Sequence, residues 1–215
     1  MFEMEPQVLE KLNSFFSQYK PLTIKKGKIL YQPDDQILNI YLLKEGLVRQ
    51  YSISEKGDEV TINVFRPYSF FPIMLILANQ SNNYFFEAQT DITAFRAPAE
   101  KVIEFLKSEP EVLFDLTKRF SAAITGLSKR IEELSFDQAS NRIASLLLYL
   151  AQRFGEQNDG EIIINLPLTH QDLASWTSLT RETASRQLKN LSSLGIISYN
   201  RQSITILDKN RLLKS

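Results

Sequence analysis

The chain has 215 residues, of which 43% are hydrophobic and 23% charged, a composition typical of a globular protein with room for two modest domains. The absence of cysteine excludes disulfides, thiolate metal sites and iron–sulfur clusters, and a single histidine excludes metal centres built on several imidazoles and disfavours an enzyme. With no basic, apolar leader and no apolar run of about 18 residues, the sequence predicts a cytoplasmic protein without a membrane span.

The net charge of zero conceals an uneven distribution of charge along the chain. Between residues 181 and 214 there are seven basic side chains and only two acidic ones. Such a local excess of positive charge suits contact with phosphate groups, although a solvated C-terminal tail can have the same composition. The sequence therefore indicates a candidate nucleic-acid-binding surface near the C-terminus.

The first half of the chain combines one short helix with a series of short strands. Apolar residues at helical spacing over residues 7–19 predict an amphipathic helix. From about residue 22 to residue 98, alternating or β-branched runs are separated by turn signals such as Lys26-Gly27, a pattern typical of an antiparallel sandwich or barrel. The predicted strands cover residues 29–31, 40–43, 47–53, 60–65, 84–88 and 92–96.

The helical period returns over residues 100–107 and then, past Pro110, in a long segment that reaches Phe136. In this second segment apolar side chains recur at steps of three and four residues for three heptads, with Ile124 beside the stripe. A helix packed on its own β domain can show such a stripe, but the charged residues on its other faces favour a seam between two helices of a dimer. The predicted seam residues are Leu113, Leu116, Phe120, Leu127, Ile131 and Leu134.

The last third of the chain predicts a winged helix-turn-helix. An interruption at residues 135–140, which we interpret as a hinge near Phe136 and Asp137, precedes a helix over 139–154, a polar loop over 155–160 and a strand over 161–166. Two short helices then flank a tight turn at Ser178, and runs at 196–199 and 203–207 form a hairpin wing. The predicted divisions are a β domain over 1–110, a long helix over 111–136 and a DNA-binding domain over 137–215.

The helix pair carries local signals for its ends and its turn. Thr169, with Asp172 three residues later, is suited to cap the first helix, and Thr180 is suited to cap the second. Ser178 stands at the turn, where glycine would adopt a left-handed conformation more readily, at a cost to serine on the order of 1 kcal/mol.

The second helix of the pair has two faces of different chemistry. Ala184, Leu188 and Leu191 predict its inward face, while an arc of about 140° carries Arg181, Glu182, Ser185, Arg186 and Lys189. In the major groove an arginine can bond the O6 and N7 atoms of guanine, and a carboxylate can accept from the N4 amine of cytosine. The polar arc can therefore read G·C pairs. The alternative is an exposed salt bridge from Glu182 to Arg186, worth only about 0.2–0.5 kcal/mol.

The order of these elements, with Thr180-Arg181-Glu182-Thr183 and Arg186, resembles the CRP/FNR family of bacterial transcription regulators over nearly the whole chain. The resemblance implies an α+β fold with an N-terminal antiparallel β-roll of the cyclic-nucleotide-binding, cupin-like kind, a long dimerisation helix and a C-terminal winged helix-turn-helix. It further implies a homodimer on a palindrome of double-stranded DNA with TGTGA-like half-sites, and RNA polymerase as a further partner.

By this resemblance Arg181 and Arg186 bond guanines and Glu182 contacts the cytosine of a G·C pair. Further contacts to the DNA backbone or to groove edges would come from three sets of residues. They are the positions where the family makes such contacts, the polar arc of the second helix, and the basic side chains between residues 181 and 214. These residues are Thr169, His170, Gln171, Thr180, Thr183, Ser185, Lys189 and Arg201.

The β domain departs from family members that bind cyclic AMP or cyclic GMP. Those members hold the cyclic phosphate with a Gly-Glu segment and a later Arg-Ser or Arg-Thr pair, whereas Ile73 and Asn82-Asn83 stand near these positions here. Because burial of a phosphate without its cation costs several kcal/mol, we expect no cyclic nucleotide, and the sequence indicates no other cofactor and no metal. The aromatic residues form either a filled core or a pocket for an unidentified apolar effector. The candidate pocket residues are Arg66, Tyr68, Phe70, Phe71, Asn82, Asn83 and Tyr84.

Two classes of function therefore compete. The first is a transcription regulator in which a signal in the β domain changes the dimer seam or the hinge, and thereby the separation of the two recognition helices. The second is a ligand-binding or scaffold protein of the same fold without specific DNA binding. The sequence does not distinguish activation from repression.

Overall fold

The computed structural model describes residues 4–55, 57–134, 139–200 and 202–213. The chain divides into two compact units, residues 2–121 and residues 122–215, and the division falls inside the long helix Pro110–Leu134. Over the described ranges no helix is long and apolar enough to cross a membrane. The predicted hinge at Phe136 and Asp137 lies outside the described residues.

The first unit consists of short antiparallel strands with helices before and after them. Its elements are α1 (Pro6–Phe16), β1 (Pro21–Ile24), β2 (Ile29–Tyr31), β3 (Asn39–Glu45), β4 (Val48–Ile53), β5 (Glu59–Phe65), β6 (Phe70–Phe71), α2 (Ile73–Leu77), β7 (Phe85–Ala88), β8 (Ile92–Pro98), α3 (Ala99–Ser108) and α4 (Pro110–Leu134). The strands form two four-stranded sheets in the orders β1-β8-β3-β6 and β2-β7-β4-β5. The predicted α+β fold with an N-terminal β-roll is confirmed.

The six predicted strands are present, and their ends differ from the prediction by two residues at most. The sequence does not predict β1, β6 or α2. β6 has only two residues and depends on its pairing with Tyr41 and Leu42 of β3, and a helix of five residues is too short to show a helical period. These elements are set by tertiary pairing rather than by a local pattern.

A core cluster joins the helices of the first unit to its first sheet. Leu12 of α1, Val102 of α3 and Val112 of α4 pack together against that sheet. Leu116 belongs to the same cluster and is only 4% exposed, and Phe120 packs against it. The predicted dimer seam is therefore wrong at Leu116, because a side chain that fills its own domain's core is not available to a partner helix. Phe120 is half-buried, and its place in the seam stays a prediction.

The second unit is a helical group with an antiparallel sheet. After the end of α4 it contains α5 (Ala139–Phe154), β9 (Gly155–Asn158), β10 (Glu161–Ile164), α6 (His170–Thr177), α7 (Arg181–Ser193), β11 (Ile197–Tyr199), β12 (Ile204–Ile206) and α8 (Lys209–Leu212). The sheet has the order β11-β12-β10-β9, so the wing strands continue the hairpin formed by β9 and β10. The predicted winged helix-turn-helix is present.

The predicted polar loop over residues 155–160 is instead mostly a strand. β9 pairs with β10 across a tight turn at Asp159 and Gly160, which have positive φ angles of 47° and 86°. β9 starts directly after α5 because Gly155 has no side chain, and a Cβ at this position would collide with the carbonyl oxygen of Ala151. The sequence does not predict β9, because three of its four residues are exposed and its polar composition shows no alternation of apolar and polar residues.

Candidate nucleic-acid interface

The two helices of the helix-turn-helix begin at well-formed caps. The hydroxyl oxygen of Thr169 accepts a hydrogen bond of 3.1 Å from the backbone N–H of Asp172, whose carboxylate accepts one of 2.7 Å from the backbone N–H of Thr169. At the second helix the hydroxyl of Thr180 accepts from the backbone N–H of Thr183 at 3.2 Å. The predicted caps are confirmed, and they place the electropositive ends of both helices at the surface.

The turn between α6 and α7 is closed by a serine in an unusual conformation. Ser178 has φ 54° and ψ 39°, which is the left-handed region, and its backbone N–H bonds to the carbonyl of Ala174. The backbone N–H of Leu179 bonds to the same carbonyl at 3.1 Å. The chain can therefore start α7 at Arg181, within four residues of the end of α6 at Thr177.

The inward face of α7 is the predicted one. Ala184 and Leu188 are completely buried, and Leu191 is 2% exposed. α7 contacts both α5 and α6, and the indole of Trp176 on α6 is also buried, with its ring 5.8 Å from that of Tyr149 on α5. These contacts fix the rotation of α7 about its axis, and so determine which residues face outward.

The outward face of α7 carries charged side chains that are open to solvent. Arg181, Glu182, Arg186 and Lys189 are exposed, and Ser185 is half-buried. In the part of the chain that the structure describes, no ion pair joins Glu182 to Arg186. The alternative explanation of these residues as an internal salt bridge is therefore not supported, and their hydrogen-bonding groups are available to another molecule.

A groove of about 720 Å³ lies between the start of α6, the start of α7 and the wing. Thr169, His170, Gln171 and Arg181 line it, so the structure brings four predicted contact residues together. Tyr199 of β11 also lines the groove, with its ring centroid 5.8 Å from that of His170 in an edge-on arrangement. The sequence reasoning missed Tyr199, because only the fold places the wing strand beside α6.

Asn200, which also lines the groove and was not predicted as a site residue, organises the tip of the wing. Its side-chain oxygen accepts hydrogen bonds from the backbone N–H groups of Gln202 at 2.7 Å and Ser203 at 2.9 Å. An asparagine between two β-branched runs is a sequence signal for such a turn, and it could have identified the residue. Arg201, a predicted contact, lies outside the described residues.

The predicted effector residues of the β domain that the structure describes lie in different parts of its core and surface. Phe70 and Phe71 are neighbours on β6, and their side chains therefore enter different core clusters. Phe71 is completely buried and its ring stacks on that of Tyr41 at 5.3 Å, while Phe70 packs with the ring of Phe16 at 6.0 Å. The pocket prediction is wrong for these two phenylalanines, which have the filled-core role that the sequence left open.

Asn82 of the predicted pocket is used to close a loop. It is 2% exposed, and its amide nitrogen donates to the carbonyls of Gln32 at 2.6 Å and Tyr84 at 2.9 Å, while its oxygen accepts from the N–H of Tyr84. All of these bonds go to the protein backbone. Asn83, the next residue in the chain, is exposed, and so is Tyr68.

The other predicted pocket residues also have separate positions. Tyr84 is partly buried against the cluster that contains Phe71, and Arg66 is half-buried after the end of β5. Within the described ranges no three histidine, aspartate or glutamate side chains are grouped to hold a metal ion.

Two family models match the chain, one on each side of the division between the units. Residues 21–109 match the cyclic nucleotide-binding domain, and residues 141–215 match the Crp-like helix-turn-helix domain. Among solved structures, a CooA mutant from Carboxydothermus hydrogenoformans has a TM-score of 0.81 at 22% identity, covers 96% of this chain and is itself covered to 94%. At this identity the similarity shows the fold alone.

Relatives of higher identity are regulators of transcription. A CRP/FNR-family transcriptional regulator from Thermus thermophilus has a TM-score of 0.70 at 28% identity, with 91% of this chain and 99% of that chain covered. The transcriptional regulator SdrP of Thermus thermophilus is 31% identical over 78% of this chain and 79% of its own. The global nitrogen regulator of a Nostoc species is 30% identical over 86% of this chain and 83% of its own. This chain therefore belongs to the CRP/FNR family of DNA-binding transcription regulators.

Proposed function

We propose that this regulator binds as a homodimer to a DNA palindrome with TGTGA-like half-sites, and that Arg181 and Arg186 bond guanines while Glu182 contacts a cytosine. The observation that carries the proposal is the outward face of α7, where these three exposed side chains have no ion-pair partner among the described residues. A major groove about 12 Å wide admits such a helix. Half-sites about 34 Å apart would then receive the two recognition helices of a dimer.

The groove beside α7 supports a path for the DNA backbone. Thr169, His170 and Gln171 begin α6 on one side of it, and Arg181 lines it from the start of α7. Anions are favoured at helix N-termini, and backbone contacts of this kind set the register of a protein on the duplex. Thr180, Thr183, Ser185 and Lys189 extend the same surface along α7, and Lys189 adds a positive charge to it.

A shorter seam than the predicted one supports the dimer. Ile124, Leu127 and Ile131 on α4 are 59%, 45% and 68% exposed, and their spacing of three and four residues puts them on one face of the helix. Exposed apolar side chains at this spacing are typical of a helix that packs against a second copy of itself. Leu113 is also exposed, at 39%, whereas the side chain of Leu134 lies outside the description.

An effector of the β domain, if the protein uses one, would differ from a cyclic nucleotide. Asn82 is bonded to the backbone where the family places the partner of the cyclic phosphate, and Phe71 fills the roll. Membership in the family further supports RNA polymerase as a partner and the cytoplasm as the place of action. A scaffold or ligand-binding protein of the same fold remains the alternative function, and the DNA experiment distinguishes the two.

Selection of bound sequences from a random DNA pool tests the proposal. We expect a palindrome with two G·C-containing half-sites, and a loss of about 1–3 kcal/mol in specific binding for Arg181→Ala or Arg186→Ala, with relaxed preference at the base pair concerned. Lys107→Ala is the matched control, because it removes an exposed positive charge from α3 of the β domain. An unchanged sequence preference in both arginine variants would contradict the proposal.

Sedimentation velocity tests the seam. Ile131→Asp should weaken the dimer at least about tenfold, because burial of an isoleucine contributes about 1.5–3 kcal/mol and the change occurs in both copies. Leu38→Asp is the control, since Leu38 is 60% exposed and lies in the β domain away from α4 in sequence. If both variants associate as the unchanged protein does, the dimer forms through another surface.

A further inference from the structure

The groove between α6, α7 and the wing has an apolar floor that contacts to phosphate do not require. Tyr199 adds an aromatic ring to the side of the groove, next to His170. Phosphate oxygens accept hydrogen bonds from N–H and O–H groups, and aliphatic side chains offer them none. The floor therefore suits a bound group that is itself apolar. It is formed by four aliphatic side chains, each at most 8% exposed, namely Leu168, Leu173, Leu188 and Ile204.

The polar part of the groove favours an anion with a single charge. Among the described residues that line it, Arg181 is the one whose side chain is charged when histidine is counted as neutral. His170 and Gln171 begin α6, where backbone N–H groups have no acceptor within the helix. The carboxylate of Asp172, in the same turn, accepts hydrogen bonds from the N–H and the hydroxyl of Thr169. One guanidinium beside a helix start is suited to one carboxylate.

The size of the groove also fits a small organic molecule. Its volume of about 720 Å³ is within the range of about 300–1,000 Å³ for ligand pockets, which combine apolar walls with a few polar groups that orient the ligand. A groove of about 540 Å³ in the β domain has the opposite charge, because Asp34 and Asp35 line it and would repel an anion. Of these two grooves, the one in the second unit is therefore the receptor for an anion.

We infer that the groove of the second unit binds a small aromatic carboxylate, and that this ligand competes with DNA. The aromatic body lies on the aliphatic floor beside the ring of Tyr199, where aromatic packing adds to the gain from apolar burial. The carboxylate accepts charge-assisted hydrogen bonds from Arg181. The competition rests on the proposed function, because a ligand that holds Arg181 prevents its contact with a guanine. The DNA-binding domain is then regulated directly, without a signal from the β domain.

Equilibrium dialysis of the full chain with 2-naphthoate tests the site. We expect binding at least about tenfold weaker for 2-naphthalenemethanol, which has the ring without the charge, and for acetate, which has the charge without the ring. Arg181→Gln should weaken 2-naphthoate binding at least about fivefold, and Tyr199→Ser should weaken it as well. Arg186→Gln is the matched control, because it removes the same charge from the outward face of α7 and should leave 2-naphthoate binding unchanged. Circular dichroism of each variant establishes that the domain is folded.

Fluorescence anisotropy with the duplex selected from the random pool tests the competition. Addition of 2-naphthoate should raise the apparent Kd for the duplex in proportion to its concentration, and 2-naphthalenemethanol at the same concentration should not.

The outcomes separate the inference from the proposed function. If the protein binds its duplex specifically but does not bind 2-naphthoate, the inference is overturned and the proposed function stands. Equal 2-naphthoate binding by Arg181→Gln and the unchanged protein overturns the assignment of the groove as the site. Binding of 2-naphthoate with no effect on the duplex overturns the competition. Failure of the unchanged protein to bind any selected duplex overturns the proposed function and the competition with it.

Discussion

Arg49 in the β domain and Arg186 in the second unit have the same side chain in opposite surroundings. The side chain of Arg49 is 10% exposed, and its guanidinium forms ion pairs with Glu59 at 2.8 Å and Glu87 at 3.1 Å and lies 4.0 Å from the ring centroid of Tyr51. Burial, followed by the charges of Glu87 and Glu59, raises the pKa of the Tyr51 phenol to about 12. Arg186 is exposed and has no ion-pair partner within the described ranges.

The two units direct their polar groups to different partners. In the β domain Arg49 and Asn82 direct their hydrogen bonds to the protein, and their removal should affect stability. On α7 the charged groups of Arg181 and Arg186 are open to solvent, and their removal should affect binding. The same residue types therefore serve the fold in one region and a partner molecule in the other.

The greatest change in stability is expected when the two arginines are each replaced by methionine. Arg49→Met leaves two carboxylates without their shared cation and should lower the free energy of unfolding by about 3 kcal/mol, the low end of the range for a broken buried pair, since Glu59 is 38% exposed. Arg186→Met should change it by less than about 0.5 kcal/mol. Urea denaturation of both variants measures the two free energies of unfolding, and equal losses would show that Arg49 and Arg186 do not differ in their contribution to stability.

A smaller effect is expected at the closed loop of the β domain. Asn82→Ala removes three part-buried hydrogen bonds, which should cost about 2 kcal/mol of unfolding free energy. Asn83→Ala, one residue further and exposed, is the matched control and should cost less than about 0.5 kcal/mol. A comparable loss in both variants would show that the stability depends on the loop in general and not on the hydrogen bonds of the Asn82 amide.

The smallest effect concerns the turn of the second unit and has the opposite sign. Ser178→Gly relieves a left-handed conformation and should raise the free energy of unfolding by about 0.5 kcal/mol, after subtraction of the extra entropy that glycine loses. Ser128→Gly, in the interior of α4, should instead lower it by about 0.5–1 kcal/mol. Thermal denaturation of the two serine variants would contradict this account if both changes had the same sign.

The features that the sequence predicts well depend on near neighbours in the chain. The caps at Thr169 and Thr180 and the buried face of Ala184, Leu188 and Leu191 follow from spacings of three and four residues, which a helix converts directly into contacts. Six strands of the β-roll follow in the same way from alternation and turn residues. Such signals need no knowledge of the rest of the fold.

The features that the sequence misses depend on which distant surface an apolar or polar side chain meets. The stripe on α4 does not reveal that Leu116 packs inside its own domain while Ile124 remains exposed. Phe70 and Phe71 enter different clusters because they are consecutive residues of a strand and point to opposite faces. The sequence does not reveal this, because a strand of two residues is too short to show an alternating pattern. Tyr199 joins the site because the wing folds beside α6.

The hydrogen bonds of Asn82 also limit how this protein could change over evolutionary time. The family resemblance implies that members which hold a cyclic phosphate have an arginine near this position, so Asn82→Arg is an obvious substitution toward that ability. Arginine has donors only, however, and could not accept the bond from the N–H of Tyr84. The first step would therefore damage the loop before it created a site. A variant built to bind a cyclic nucleotide here must therefore begin with changes elsewhere in the loop that make Asn82 dispensable.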